Sequence, residues 1–282
     1  MLRAEMSRSR QPYLPGENAF VERLSAKDDT LIGGYCVHIQ RYQLAAPYCR
    51  EKNVLDAGCG VGYGSMFLAR SGAASVQGVD VSADAIGEAA ATYSHSNLSF
   101  AVADVQKLDQ CAALPKQFDV IVNFENIEHL PRPDEFLRQA RALLPRPGGV
   151  LLTSSPNGDV SECDASAKPR NPFHEKEFRP GEFLDLLKPY FPSVTVLGQW
   201  QTYDCRLRIL RDRQLHRDLC ELYYNPMTRL GRFVKKLVGK KSLPPPPFNS
   251  AGHAFSVDYI IAPLENPPFR WPPTVLLAVC TG

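Results

Sequence analysis

The 282-residue chain has no run of about 18 apolar residues, so no segment reads as a membrane-spanning helix. Its opening stretch, MLRAEMSRSRQPYLPGE, lacks the apolar core of a secretory signal, and the expectation is a cytoplasmic protein. Eight cysteines are present but none forms a CxxC pair. That excludes a zinc knuckle and a dense disulfide framework, and predicts reduced thiols. Charge of one sign is not in excess either: 32 Lys and Arg against 30 Asp and Glu leave a formal +2. No general attraction to nucleic acid follows from that balance. What is there, 44% hydrophobic and 22% charged residues, suits a globular chain long enough to bury a full core.

The charge is unevenly spread. Between Arg206 and Lys241 there are 11 Lys and Arg against 3 Asp and Glu, so the remainder is net acidic and a local basic surface is expected. Within it, RLGRFVKKLVGKK (229–241) repeats Leu230, Phe233, Leu237 and Val238 at helical spacing with lysines between them. Such a helix can lie on an anionic membrane, and equally can pack on the core with a solvated basic face.

From residue 53 the chain alternates short apolar strands with amphipathic helices. Strands are expected at NVLDA, SVQGVD, LSFAVAD, FDVIVNF, GGVLLTSSP and SVTVLGQW, with later ones at FSVDYIIAPL and PTVLLAVC. Residues 35–49 predict a helix before the first strand. Ser82 is a natural N-cap, and Gly72 a natural helix stop. This rhythm predicts an α/β fold: a Rossmann-like, doubly wound, seven-stranded, mostly parallel sheet, with the last strand closing an antiparallel edge. The expected organisation is a flexible segment over 1–34 and one domain over 35–282. Residues 200–273, with the prolines of SLPPPPFNS, form an insertion shaping the acceptor side.

Ligands of such sheets bind at the carboxyl ends of the strands, where the unusual residues fall. NVLDAGCGVGYGS (53–65) places glycines at 58, 60, 62 and 64. A phosphate-binding P-loop needs a Lys-Ser/Thr pair closing the run, and no lysine follows. A dinucleotide GxGxxG is not met from Gly58, where the sixth position is Tyr63, and is near but imperfect from Gly60, where it is Ser65.

Four blocks in order, VLDAGCGVGYG, GVDVS, ADV (103–105) and FDVIVNFENIEHLPRPDEFLRQARALLPRPGGVLLTSSPN, resemble the class I S-adenosylmethionine-dependent methyltransferases over about residues 35–200. The resemblance implies S-adenosylmethionine as cofactor. It places Asp56, Gly58, Gly60 and Gly62 near the methionine half, and Asp80 on both ribose hydroxyls with Val81 beside the adenine. Asp104 falls on the adenine amino group, Val105 on its ring, and Asn123 to Glu125 beside the sulfonium. Arg41 is a candidate partner for the cofactor carboxylate, with a surface role as the alternative.

Methyl transfer to a hydroxyl needs alignment and a base. Glu125, Glu128 and His129 follow the fourth strand, and His174 lies in NPFHEKEF after the fifth. His174 is the preferred base because an imidazole titrates near neutrality. Bracing of the loop by His174, and packing beneath the cofactor by His129, are the plain alternatives. His174, Glu175 and Glu177 lack a third convincing metal ligand, so no metal is assigned. NPFHEKEF, the helix bearing His38, Arg41 and Tyr42, and the closing VLLAVC also resemble methyltransferases acting on glycans or glycosylated natural products. O-methylation of a sugar or glycosylated metabolite is therefore expected, with peripheral contact at the inner membrane face through 229–241. The alternatives are a quinone or other small aromatic acceptor, and a non-catalytic cofactor-binding scaffold. No nucleic-acid acceptor is expected, since the site after strand four reads NFEN rather than NPPY.

Overall fold

The computed structural model describes residues 32–161, 169, 171–202 and 259–282. The expected flexible segment up to residue 31, most of the expected insertion, and the basic region 206–241 with its helix 229–241 lie outside the described residues.

Helix α1 (Ile32–Cys49) leads into β1 (Asn53–Ala57), α2 (Tyr63–Arg70), β2 (Ser75–Asp80), α3 (Ala83–Thr92) and β3 (Leu98–Val102). Strand β4 (Val120–Asn123), α4 (Pro133–Leu143), β5 (Val150–Pro156), α5 (Pro180–Leu187) and β6 (Ser193–Gln201) follow. The chain ends with β7 (Tyr259–Pro263) and β8 (Val275–Thr281). Strands β3-β2-β1-β4-β5 are parallel; β8 lies antiparallel between β5 and β6, and β7 pairs antiparallel with β6 at the edge.

The Rossmann-like, mostly parallel sheet with an antiparallel edge is present, with two corrections. The sheet has eight strands rather than seven. Its chain-terminal strand is interior, and β7 takes the edge. The reason is burial. Leu276, Leu277 and Ala278 are successive and all at most 1% exposed, which requires cover on both faces. Strand β7 instead leaves Ile260 exposed, as an edge tolerates. Strand β3 also stops two residues early, because Asp104 caps a 3-10 turn over Val105–Gln110.

Alternation along each strand sorts the core into two layers. Val54, Val120, Val122 and Leu152 pack under Tyr42, Ala45 and Cys49 of α1 and Leu68 and Ala69 of α2. Leu55, Ile121 and Leu151 face the other way, under Phe136, Leu137 and Ala140 of α4 and Phe183 and Leu187 of α5. Helix α4 starts on Pro133, with Asp134 and Glu135 in the first turn, where their charges suit the helix dipole. Ser82 caps α3, its hydroxyl accepting from the Ala85 amide at 3.3 Å. Among the described residues, no helix is long and apolar enough to cross a membrane.

Candidate functional site

The loop between β1 and α2 answers for the glycines. Gly58, Gly60 and Gly62 have φ of 81°, 54° and 83°, a region costly for side chains. Gly64 serves another need: a Cβ there would stand 1.9 Å from the Tyr42 ring, so its absence lets α1 seat on the loop. The Gly58 and Cys59 amides both donate to the Val79 carbonyl, at 2.8 and 2.9 Å, hanging the loop on the end of β2.

These elements frame a cleft of about 370 Å³ at the carboxyl ends of β1, β2 and β4. Asp80, last residue of β2, takes the Gly60 amide at 3.0 Å on one oxygen and the Ser82 amide at 2.9 Å on the other. Val81 beside it is exposed. Asp104 and Val105 continue the wall; the Asp104 carboxylate accepts from the Gln106 amide at 2.9 Å. Glu125 closes the opposite side with φ of 49°, an uncommon conformation for a glutamate and one often kept at functional sites. Its amide and one carboxylate oxygen both engage the Ser154 hydroxyl at 3.0 Å.

Several residues singled out from the sequence stand behind the cleft rather than on it. Asp56 is wholly buried and accepts from Ser65 Oγ at 2.6 Å and Tyr42 Oη at 3.2 Å. Burial lifts its carboxyl to about 6, against the two hydroxyl donors. Asn123 is also buried, donating to the Ala57 carbonyl at 2.8 Å and accepting from Thr153 Oγ1 at 3.2 Å. Arg41 is 1% exposed and absent from the lining. Its Nη1 stands 3.3 Å from Glu125 Oε1, and its Nε donates to Gln199 Oε1 at 3.0 Å. Gln199 in turn donates to Gln40, and Gln40 to the Tyr259 carbonyl. Glu125 is thus braced by a buried polar chain from α1 and β6 to β7. Nothing in the sequence pattern marked Gln199 for this.

The two histidines divide. His129 lines the cleft, with Nδ1 donating to the Phe173 carbonyl at 2.8 Å. His174 does not line it: Nδ1 engages Glu177, and Nε2 accepts from Asn171 at 2.8 Å. The rings meet edge to face with centroids 4.7 Å apart. Glu128, between Ile127 and His129 in a 3-10 turn, points inward and is 1% exposed. Burial, then the nearby Glu125 carboxylate, holds its carboxyl well above the ordinary range. His38 also lines the cleft, paired with Tyr63 Oη at 2.8 Å, and burial followed by Arg41 pushes its imidazole well below its usual value.

The lining suits a cationic nucleoside without phosphate. It includes Asp80, Asp104 and Glu125, but no Lys or Arg among the described residues. A Cβ built on Gly60 meets no atom of the described residues within 4 Å, leaving the backbone there open to close approach by a ligand.

Comparison with known proteins agrees. Residues 19–206 match the family model described as a methyltransferase domain. A protein of Mycolicibacterium smegmatis named "Probable S-adenosylmethionine-dependent methyltransferase" is 36% identical over 150 residues, 52% of this chain and 54% of that one. The ubiquinone biosynthesis O-methyltransferase of Pseudomonas syringae pv. tomato is 29% identical over 188 residues, 63% of this chain and 71% of that one. In fold, the S-adenosylmethionine-dependent methyltransferase of Mesorhizobium loti has a TM-score of 0.51 at 15% identity. That match covers 89% of this chain and 100% of the other. The chain spans about half the length of the mycobacterial relatives it matches.

Proposed function

The chain belongs to the S-adenosylmethionine-dependent methyltransferases, with S-adenosylmethionine as its cofactor, and from that premise we propose that it methylates a hydroxyl of a small-molecule acceptor. The observation carrying this is the glycine cradle closed by Asp80, with Asp104 and Glu125 also on the cleft wall.

In this reading Asp80 holds the ribose hydroxyls. Its carboxylate already organises Gly60 and Ser82, so it is fixed before the ligand arrives. Asp104 accepts from the adenine amino group, while Val81 and Val105 flank the ring. Gly58, Gly60 and Gly62 give close backbone approach beneath the methionine half. Asp56 acts from behind, fixing Tyr42 and the start of α2. Glu125, braced by Arg41 and Ser154, presents its backbone beside the sulfonium; Arg41 acts through it rather than on the cofactor carboxylate. Bound there, the cofactor supplies an electrophilic methyl group. The proton-accepting role moves from His174 to His129, because His129 is on the cleft wall and His174 is not.

Two acceptor classes remain in view. The part of the lining formed by Leu130, Pro131 and Phe173 is apolar, which favours a phenol or quinol ring. The name of the Pseudomonas syringae relative points the same way. A sugar or glycosylated metabolite rests on the sequence resemblance alone. Methyl transfer from a labelled donor, screened against phenols, quinols, sugar nucleotides and lipid-linked glycans, tests the reading. Incorporation into a phenolic or quinolic hydroxyl is expected; incorporation only into sugars would reverse the preference, and incorporation into none would remove the small-molecule reading.

A further inference from the structure

We propose that Glu128, His129 and His174 form a binding site for one first-row divalent transition-metal ion at the wall of the cleft. One ligand atom from each residue lies within 4.8 Å of those of the other two. That is the spacing of donors able to converge on a single centre.

A second observation points to a ligand. Glu128 is 1% exposed, and its Oε2 is buried without a hydrogen-bond partner among the described residues. A buried carboxylate oxygen left in that state is costly, and a cation is the partner that satisfies it best. The surrounding charge agrees. Glu125 and Glu177 both act electrostatically on Glu128, and the guanidinium that offsets them, Arg41, is already paired with Glu125.

The outer partners of the rings match those of metal-ligating histidines, which pass their second N–H to a carboxylate or a backbone carbonyl. His129 Nδ1 faces the Phe173 carbonyl, so it carries the proton and Nε2 the lone pair. His174 Nδ1 faces Glu177 Oε1, which likewise leaves its lone pair on Nε2. The Asn171 amide now caps that nitrogen at 2.8 Å and must turn aside for ligation. Two imidazoles and one carboxylate suit zinc, iron, cobalt or nickel better than magnesium or calcium, which prefer an all-oxygen shell.

Three protein ligands leave a coordination position open, where a bound oxygen has its pKa lowered. With the ion in place, His129 would be a ligand instead of the proton acceptor, and an acceptor hydroxyl bound at the open position would pass its proton to solvent water as its oxygen takes the methyl group. That use rests on the acceptor reading above. The binding itself does not.

The test therefore reads binding. The full chain, stripped with chelator and kept reduced, is titrated with Co²⁺ in the absence of donor and acceptor, following d–d absorption, and with Zn²⁺ by calorimetry. One ion per chain is expected, with a nitrogen–oxygen spectrum free of thiolate charge transfer. Glu128→Gln and His174→Ala should each weaken binding at least about tenfold. Circular dichroism checks that each variant is folded, and His174→Ala carries the test if Glu128→Gln does not fold. No binding, a thiolate spectrum, or unchanged affinity in a folded variant would overturn the proposal. Failure of every acceptor screen would leave it standing.

Discussion

Asp56 offers the sharpest prediction. It is fully buried, and burial raises its carboxyl from 3.8 to about 6 despite hydrogen bonds from Ser65 and Tyr42. A carboxyl with a higher pKa folded than unfolded contributes stability that is fully present below the unfolded value and is lost as pH rises through the folded one. A shift of two units or slightly more corresponds to about 3 kcal/mol over the whole range, of which about 1.4 kcal/mol falls between pH 8 and pH 5. Asp56→Asn removes the titration while keeping the shape and an acceptor for both hydroxyls. Urea unfolding of the cofactor-free protein and the variant at pH 5, 6, 7 and 8 measures the difference. Wild type should gain about 1.4 kcal/mol relative to Asp56→Asn on going from pH 8 to pH 5. A gap flat to within about 0.5 kcal/mol, or one that widens in the opposite direction, would refute the claim that this carboxyl is buried at a raised pKa.

Gly64→Ala drives a methyl into the Tyr42 ring, so thermal unfolding should show a loss of about 1–3 kcal/mol and weaker packing of α1 on the loop. Gly58→Ala combines a φ of 81° with a Cβ 2.5 Å from the Asn126 side chain; calorimetry should find donor affinity reduced at least about tenfold, in line with the cost of strain at such a position. His129→Ala should lower kcat by about a hundredfold or more on any acceptor found, with unchanged donor affinity, as expected for a group that handles the acceptor proton. Gln199→Ala cuts the buried chain holding Arg41 and Glu125, and should lower stability by about 1–3 kcal/mol in a denaturant titration.

The glycine loop and the acid ending β2 were legible because their signals are local. A strand ending in Asp80, an N-capping Ser82 and glycines at alternate positions each have a short-range cause, and the sheet then carries them to one end. The surroundings of the two histidines were not, because they depend on where each turn aims its side chains. His174 looks like a base in NPFHEKEF, yet Asn171 and Glu177, three residues to either side, engage both its nitrogens. Glu128 and His129 are neighbours in sequence, and only the tight turn over 127–129 sends one into the interior and the other to the cleft. Strand order was hidden for a different reason. The apolar run of β8 fits an interior strand, but its neighbours are fixed by residues more than a hundred positions away in β5. Gln199 carried no local mark at all, since its partners Arg41 and Gln40 sit on α1.

The account depends most on Asp80 gripping the donor nucleoside in the glycine cleft. Calorimetric titration of the folded chain with S-adenosylmethionine, beside Asp80→Ala, addresses that directly. One equivalent bound by wild type is expected, with affinity lower by about a hundredfold in the variant, the worth of two hydrogen bonds to a charged group. No heat from the folded wild type, or equal affinity in both proteins, would contradict it.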